Sequence, residues 1–474
     1  MAVFCFITFF HFNMDFIYFL FVLFMVYYSY QPKGNGFMKK IRIGVLGAYR
    51  GSSMINYCHC ADNAEVVAIC DKWEEGLKHQ QEAHPEATDI TYYTSFDEFI
   101  NHDMDAVVLA NYANEHASFA IRCMKRGLHV FSEVLPVQTM KEAVELIETV
   151  EETGLIYAYG ENYCYMPAPY EMRKLYRAGK IGEFEYGEAE YIHNCESIWH
   201  SISYGDPDHW RNNMYATYYC THSLGPILHI TGLRPVSVIG FEGTMNERKL
   251  RMGCKSGSFG IEMVTLENGG IVKSIHGGLY KNSIWYSVYG SKGRMESARE
   301  DARVGGVKRI YVNADAYSGQ YASRDVTLST YEPKGDLDEL GQAFGHGGSD
   351  FYSMYHFVEK IRGNVNADII DVYEALDMAL PGMFAYRSVL KGGIPMEIPN
   401  LRDRAVREQY RNDTMCTDPE VAGDMWIPSF SKGIPDIPDE VYDRMKAKWA
   451  QEQKDKTGHL RAATKVIRKE SEAK

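Results

Sequence analysis

The stretch KIRIGVLGAYRGSSMI, residues 40–55, begins as an apolar strand, turns at Gly47 and continues into a helical pattern. Gly47 permits a tight turn, and Gly51 lets the backbone come close to a pyrophosphate at the start of the helix. A complete G-x-G-x-x-G is absent, because Tyr49 stands where a second glycine is expected. By itself, the stretch is therefore only a weak indication of a dinucleotide site.

A carboxylate at the end of the next strand strengthens that indication. The run EVVAICD, residues 65–71, ends in Asp71, at about the spacing where an acid binds the adenine-ribose hydroxyls. An acid there would repel the 2′-phosphate of NADP. We therefore predict NAD as the cofactor. The alternative is a doubly wound domain whose crevice binds nothing.

Further apolar strands alternate with amphipathic helical stretches up to about residue 160. These strands are DAVVLANYANEH (105–116), HVFSE (129–133) and LIYAYGENYCY (155–165). The alternation predicts a parallel, doubly wound sheet in a domain of residues 38–160. Ligands of such sheets bind beyond the carboxyl ends of the strands. The residues expected to line that crevice are 111–116, Glu133 and 161–162.

Runs of alternating apolar and polar residues fill the second half of the chain. They include PVSVIGFEG (235–243), GSFGIEMVTLENG (257–269), GIVKSIHGGLY (270–280) and SIWYSVYGSKG (283–293). This period of two predicts a mainly antiparallel sheet that is open on one face. The predicted fold class is α/β, with an N-terminal doubly wound parallel sheet and a C-terminal α+β domain of residues 161–400. Residues 401–474 are a C-terminal extension.

Residues 209–232 concentrate side chains suited to proton transfer and sugar binding. His222 lies close in sequence to Tyr219 and Arg211. Histidine exchanges protons near neutral pH, and a tyrosine hydroxyl can donate to or accept from a sugar hydroxyl. We therefore interpret His222 as a functional residue rather than a core histidine.

A metal site is the alternative use of the same segment. Cys220-x-His222, together with Glu161 or His193, offers ligand types that bind transition metals. The spacing is not diagnostic of any metal site, so no metal is predicted.

Composition narrows the function classes. The chain has 474 residues and a net charge of −13, which argues against a nucleic-acid surface, since that needs a basic patch. Its ten cysteines show no zinc-finger spacing and several lie in apolar runs. Buried free thiols indicate a reducing compartment, so a cytoplasmic protein is expected.

The first 37 residues are unlike the rest of the chain. Residues 16–30 are almost wholly apolar and aromatic, but the run is shorter than the ~20 residues that a membrane span needs. We interpret Met38 as the natural start, with residues 1–37 a translated upstream stretch. The alternative is an uncleaved membrane anchor or an export signal.

The order of these motifs resembles the Gfo/Idh/MocA oxidoreductases over about residues 38–400. Finer features resemble one branch of that family, the NAD-dependent glycoside hydrolases whose founding activity is α-N-acetylgalactosaminidase. Sugar dehydrogenases of the family carry Glu-Lys-Pro, with the lysine near the nicotinamide. This chain has Glu133-Val134-Leu135-Pro136, similar to the Glu-Val-Pro turn of the branch but with Leu135 inserted. The other matching motifs are ENYCY (161–165), YIH (191–193), YCTHSLGP (219–226) and HGGSD (346–350).

The resemblance implies a role for individual residues. NAD would be bound by Gly47, Arg50, Gly51, Asp71, Asn114, His116, Glu133, Val134 and Asn162. The sugar would be bound by Tyr191, Arg211 and Tyr219. His222 would be a catalytic residue beside the nicotinamide. A second catalytic tyrosine is expected before the Gly-Ser-Lys-Gly turn, where Tyr280 fits best and Tyr286 competes.

The implied activity is glycoside hydrolysis through transient oxidation. NAD would take hydride from C3 of the sugar, the ketone would acidify the C2 proton, and the C1 leaving group would depart by elimination. Water would then add to C1 and the hydride would return, so NAD should stay bound. The alternatives are a net sugar or polyol dehydrogenase and a non-catalytic cofactor-binding protein. The expected partners are a carbohydrate or glycoside and, from the resemblance, further copies of the chain in a homo-oligomer.

Overall fold

The computed structural model describes residues 39–454 apart from 86, 301–306, 316–325, 336, 338–340, 342–343 and 345. The apolar stretch of residues 1–37 lies outside the described residues. Two sheets, each covered by helices, form the described part of the chain.

The first sheet has six parallel strands in the order β3-β2-β1-β4-β5-β6. They are β1 (Ile41–Leu46), β2 (Ala64–Cys70), β3 (Thr91–Tyr93), β4 (Ala106–Leu109), β5 (His129–Ser132) and β6 (Tyr157–Tyr159). All residues of β4 are buried, as expected for a parallel strand covered on both faces. The predicted doubly wound sheet is confirmed. Its strand order reverses between β1 and β4, where such sheets bind dinucleotides.

Five helices follow strands of this sheet. They are α1 (Ser52–Cys60), α2 (Glu74–Ala83), α3 (Phe96–Phe99), α4 (His116–Lys125) and α5 (Met140–Thr153). Helix α5 begins with a capping box, in which Thr139 and Glu142 each accept a hydrogen bond from the other's backbone N–H. The cap fixes the point at which the segment after β5, which contains Glu133, ends and α5 begins.

The second sheet has nine strands in the order β14-β13-β12-β11-β7-β10-β9-β8-β15. The strands are β7 (Phe184–Ile192), β8 (Pro235–Glu242), β9 (Phe259–Leu266), β10 (Ile271–Gly277), β11 (Ser283–Gly290), β12 (Gly293–Ser297), β13 (Ile310–Asp315), β14 (Val326–Tyr331) and β15 (Met396–Glu397). Among these strands only β7 and β10 pair in parallel. The predicted mainly antiparallel sheet is therefore confirmed.

Helices cover one face of the second sheet. The helices of this part of the chain are α6 (Pro167–Arg177), α7 (Trp199–Ser203), α8 (Trp210–Asn213), α9 (Thr221–Thr231), α10 (Glu247–Arg251), α11 (Ser349–Ile361) and α12 (Val372–Leu390). Helices α9 and α12 lie against the sheet. A Cβ at Gly240 of β8 would lie 2.0 Å from the Ala385 carbonyl oxygen of α12, so only glycine allows this approach. The opposite face leaves Phe241, Ile271 and Tyr289 exposed.

One helix of the second half completes the first domain. Phe351, Met354 and Phe357 of α11 are buried in one hydrophobic cluster with Ile43 and Val108 of the parallel sheet. Helix α11 thereby brings the HGGSD motif, which contains its first two residues, to the edge of the dinucleotide crevice.

The C-terminal extension runs back over both domains. Its helices are α13 (Arg404–Tyr410), α14 (Pro419–Ala422) and α15 (439–454). Within the described ranges, no helix combines the length and the apolar character needed to cross a membrane. The nine cysteines that the structure describes are free, and seven of them are buried.

Candidate active site

The glycine turn after β1 is built for close backbone approach. Gly47 has φ +102°, and a Cβ there would lie 2.4 Å from the Ala110 carbonyl oxygen. A Cβ at Gly51 would lie 2.3 Å from the Gly47 carbonyl oxygen. The Asp71 carboxylate accepts hydrogen bonds from the backbone N–H of Ala48 (2.7 Å) and of Trp73 (2.9 Å). The acid at the end of β2 is thus held beside the turn that begins α1.

A cavity of about 350 Å³ opens beside this turn. Its lining residues are Ala48, Tyr49, Arg50, Ser52, Ser53, Trp73, Gly76, His79 and Gln80. A helix N-terminus suits the pyrophosphate of NAD, and a nearby carboxylate suits its ribose hydroxyls. The residues at this end of the crevice therefore fit the predicted cofactor.

Arg50 of the glycine turn contacts Glu133, the residue before Val134, where the sugar dehydrogenases of the family have a lysine. The Arg50 Nη2 lies 2.6 Å from Glu133 Oε1, and the same guanidinium donates two hydrogen bonds of 3.1 Å to Asp350. Burial raises the pKa of Glu133, and the charge of Arg50 offsets only part of that rise. Val134 carries no charge, so the positive charge next to Glu133 comes from Arg50 and not from a lysine at position 134.

The Asp350 carboxylate accepts hydrogen bonds from residues in both halves of the chain. Only 1% of its surface is exposed, and it accepts hydrogen bonds from Asn162 Nδ2 (2.9 Å) and His346 Nδ1 (3.0 Å) besides those from Arg50. Burial would raise the pKa of Asp350, but the hydrogen bond from His346 and the charge of Arg50 hold it well below its ordinary value. The hydrogen bond to Asp350 raises the pKa of His346.

The remaining predicted cofactor residues follow strands β4 and β5 at the same edge of the parallel sheet. His116 lies at the start of α4, and its Nδ1–H donates to the carbonyl oxygen of the inserted Leu135 (2.8 Å). Burial lowers the pKa of His116 to about 4, so the ring is neutral. Asn114 lies in the turn before α4, and Val134 is buried beside a cis Val134–Leu135 peptide.

His222 at the start of α9 is paired with a buried carboxylate. Its Nδ1 lies 2.7 Å from Oε1 of Glu161, a residue with 0% exposure that directly follows the strand-end glycine after β6. An ionised carboxylate only accepts hydrogen bonds, so Nδ1 carries the proton and Nε2 carries the lone pair. The pair therefore presents a base at Nε2. The neighbouring Asn162 binds Asp350, so two adjacent residues connect the sugar-side and cofactor-side clusters.

Three tyrosines surround the His222 ring. The ring centroids of Tyr163, Tyr191 and Tyr219 lie 4.6, 4.7 and 5.0 Å from that of His222. Burial raises the pKa of Tyr163 and of Tyr191, so both stay neutral donors at physiological pH. Arg211 donates to the Tyr219 hydroxyl (3.2 Å) with its guanidinium 4.8 Å from the Tyr219 ring centroid. The structure thus brings together all three predicted sugar-binding residues and His222.

The two candidate second tyrosines occupy different environments. Tyr280 lies in the loop after β10, where its carbonyl accepts from Asn194 Nδ2, and 71% of its surface is exposed. Tyr286 is fully buried in β11, and its hydroxyl donates to the His222 carbonyl oxygen (2.6 Å). Tyr280 is therefore at the rim with its ring in solvent, whereas Tyr286 holds the backbone of α9. The catalytic role of Tyr280 stays a prediction.

The side chains of the alternative metal pattern point to different partners. The Cys220 thiol donates to the Met378 carbonyl oxygen (3.5 Å), while His222 contacts Glu161. Among the residues that the structure describes, no three His, Cys, Asp or Glu side chains are grouped so that they could hold a metal ion.

Sequence reasoning missed the roles of Asp350, His346 and Tyr163. Asp350 and His346 belong to the HGGSD motif and Tyr163 belongs to ENYCY, so the matching motifs could have indicated that these residues lie at the site. No pattern within the sequence showed that Arg50 and Asp350 meet across 300 positions of the chain.

Two family models match successive parts of the chain. Residues 41–161 match the Gfo/Idh/MocA model, which describes an oxidoreductase family with an NAD-binding Rossmann fold. Residues 243–406 match the model of the glycosyl hydrolase 109 C-terminal domain. Both matches agree with the resemblance found from the motifs.

Individual relatives give the same relationship. A glycosyl hydrolase family 109 protein of Solibacter usitatus is 27% identical over 413 residues, covering 78% of this chain and 89% of that protein. An alpha-N-acetylgalactosaminidase of Shewanella oneidensis is 24% identical over 391 residues, covering 74% of this chain and 83% of that protein.

A solved structure shares the fold. The WlbA dehydrogenase of Bordetella pertussis, in complex with NADH and UDP-GlcNAcA, superposes with a TM-score of 0.58 at 20% identity and covers 78% of this chain and 99% of that one. At this identity the likeness shows the fold alone. The first domain of the chain thus matches the NAD-binding Rossmann fold of the Gfo/Idh/MocA oxidoreductases over residues 41–161, and the second domain matches the C-terminal domain of glycosyl hydrolase family 109 over residues 243–406.

Proposed function

We propose that this protein is an NAD-dependent glycosidase that cleaves its substrate through transient oxidation at C3. The observation that carries the proposal is the His222–Glu161 pair, which presents a base among three tyrosines beside the cofactor crevice. Its similarity to a glycosyl hydrolase family 109 protein and to an alpha-N-acetylgalactosaminidase supports the same activity.

The chain's own residues divide the work between binding and proton transfer. The glycine turn and Asp71 would hold NAD, which when bound supplies a reversible hydride acceptor for C3 of the sugar. His222 Nε2 accepts the proton of the C3 hydroxyl, and Glu161 stabilises the imidazolium that results. Tyr191 and Tyr219 donate hydrogen bonds that orient the sugar hydroxyls.

Elimination and water addition complete the hydrolysis. The C2 proton of a C3 ketone is acidic, so its removal expels the leaving group at C1. Water then adds to C1, and the reduced centre at C3 is restored. Electrons balance because oxidation and reduction both occur at C3, so no NADH accumulates.

An aryl-glycoside panel with NAD quantified before and after turnover tests the proposal. We expect release of the aryl alcohol without NADH accumulation, loss of that release in H222A, and solvent deuterium at C2 of the product. Stoichiometric NADH from free sugars would instead identify a net sugar dehydrogenase. Bound NAD with neither activity would identify a non-catalytic cofactor-binding protein. Absence of deuterium at C2 would contradict the elimination step.

A further inference from the structure

Helix α15 of the C-terminal extension is anchored on the second domain. It lies beyond residue 406, where the match to the glycosyl hydrolase 109 model ends. Tyr442 and Met445 of the helix are buried in a small hydrophobic cluster with Trp199 and Met252. The helix therefore has its own packing site, separate from the main core.

Close backbone contact fixes the position of α15. A Cβ at Gly205 would lie 2.5 Å from the Tyr442 carbonyl oxygen and 2.6 Å from the Lys446 backbone nitrogen. The Tyr442 hydroxyl also donates to the Gly253 carbonyl oxygen (3.0 Å). Only glycine at position 205 lets the helix lie this close to the second domain.

The last described turn of α15 is held by polar contacts. Glu452 Oε1 lies 2.5 Å from His200 Nε2, and Glu452 Oε2 accepts from the Ser201 hydroxyl (2.9 Å). Both His200 and Ser201 belong to α7. The helix is therefore held in place on each side of Trp449.

Trp449 spans the gap between the two domains. Its ring centroid lies 5.3 Å from that of Tyr204 in the second domain and 6.3 Å from that of Trp73 in the first. Tyr204 has φ +56°, a left-handed conformation that is uncommon for a residue other than glycine. That conformation places the Tyr204 ring against Trp449.

Trp73 is a wall of the adenosine end of the cofactor cavity. Its backbone N–H donates to Asp71, the acid expected to bind the ribose. The indole lies over Gly76, where a Cβ would be 2.5 Å from the ring, and meets His79 edge-on at 5.7 Å. Helix α2 thus supports one side of the indole, and Trp449 lies on it from the second domain.

We propose that Trp449 positions the Trp73 indole against the adenosine of NAD and that α15 thereby slows cofactor release. This rests on the NAD-binding part of the proposed function and not on glycoside cleavage. A helix that joins both domains at the adenosine end of the cavity would slow the release of NAD, whichever reaction the bound cofactor serves.

The test measures NAD retention in the full-length protein. Wild type, W449A, W449F and W426A are loaded with NAD, desalted, and assayed for bound NAD over time. Trp426 is the matched control because it is 44% exposed and its indole N–H donates to Thr417 in another part of the extension. We expect release to be about tenfold faster in W449A, close to wild type in W449F and unchanged in W426A.

A double-mutant cycle tests whether Trp449 acts through Trp73. In a W73A background, W449A should change the release rate less than about twofold. ADP-ribose, which retains the adenosine, should bind W449A more weakly, whereas nicotinamide mononucleotide should bind as it does to wild type. Equal weakening of both probes would indicate a general structural effect and would overturn the proposal.

Two further outcomes separate this inference from the glycosidase proposal. NAD released at the wild-type rate from folded W449A overturns the retention role even when the wild type cleaves glycosides. Faster release from W449A supports that role even when no glycoside is cleaved by any variant. Should W449A fail to fold, W449L, which keeps apolar volume without a ring, carries the same test.

Discussion

Replacing Glu161 by glutamine should slow the reaction without unfolding the protein. The change removes the negative charge that faces Nδ1 of His222 at 2.7 Å and keeps nearly the same side-chain volume. A hydrogen bond to a charged group contributes about 1.5–3 kcal/mol. If that contribution is made to the imidazolium that forms when His222 accepts a proton, kcat should fall about 10- to 150-fold.

The effect on stability should be small. Glu161 is fully buried, and its Oε2 has no hydrogen-bond partner in the structure. Removing an incompletely paired buried charge offsets the weaker bond to His222. The Tm of E161Q should therefore stay within a few degrees of the wild type. A collapse of Tm would mean that Glu161 is needed for the fold, not for the chemistry.

The assay compares kcat, KM and the pH–rate profile of the wild type, E161Q and the control E145Q. Glu145 lies on the surface of α5, 4.0 Å from Lys141, so its loss of charge should leave kcat unchanged. In E161Q kcat should fall while KM changes little, because Glu161 contacts His222 and has no predicted contact with the sugar. Equal kcat and equal pH profiles for E161Q and wild type would refute the proton-transfer role of the pair.

Three further predictions address the rest of the molecule. D350N should lower the free energy of unfolding by about 2 kcal/mol in urea titrations, because the buried carboxylate that accepts hydrogen bonds from Arg50, His346 and Asn162 loses its charge; a loss below 1 kcal/mol would contradict this. Burial raises the pKa of Asp377 from 3.8 to about 6 despite the nearby charge of Arg402. The free energy of unfolding therefore falls by about 3 kcal/mol as the pH rises through that interval. D377N should therefore be more stable than wild type by up to about 3 kcal/mol at pH 7 and equal to it below about pH 4, as unfolding at both pH values would show. Y191F should reduce kcat/KM about tenfold and more than Y280F does, since Tyr191 lies against the His222 ring and Tyr280 is exposed; the reverse order in the aryl-glycoside assay would favour Tyr280.

The sequence was sufficient for the strands of the cofactor domain. Apolar runs bounded by turns predicted β1, β2, β4, β5 and β6, because a strand buried on both faces needs a short apolar run and little else. The third strand, Thr91–Tyr93, has only three residues and no such run, so local pattern could not reveal it. Helix α11 begins within the HGGSD motif, but nothing local showed that it packs on the first sheet.

The site was predictable where residues follow strand ends, and less so where a side chain's direction matters. Glu133, Glu161 and Asn162 follow parallel strands, whose carboxyl ends meet at one edge by topology. The His222–Glu161 contact joins residues 61 positions apart, so the sequence offered Glu161 only as a crevice residue or a metal ligand. Tyr280 was placed by its spacing before a glycine turn. The alternation of side chains along a strand does not determine where a side chain points after the strand has ended, and the structure leaves Tyr280 exposed.

Arg50, which lies beside Glu133, cannot carry out the proton transfer of the proposed mechanism. Burial alone would lower the pKa of Arg50, but the charges of Glu133 and Asp350 raise it above its ordinary value. An arginine in that environment never releases its proton, whereas a buried lysine can. Arg50 can therefore compensate the charge of Glu133 but cannot act as an acid or base. The proposed base is instead His222, whose Nδ1 lies 2.7 Å from Glu161 and whose Nε2 is left to accept a proton.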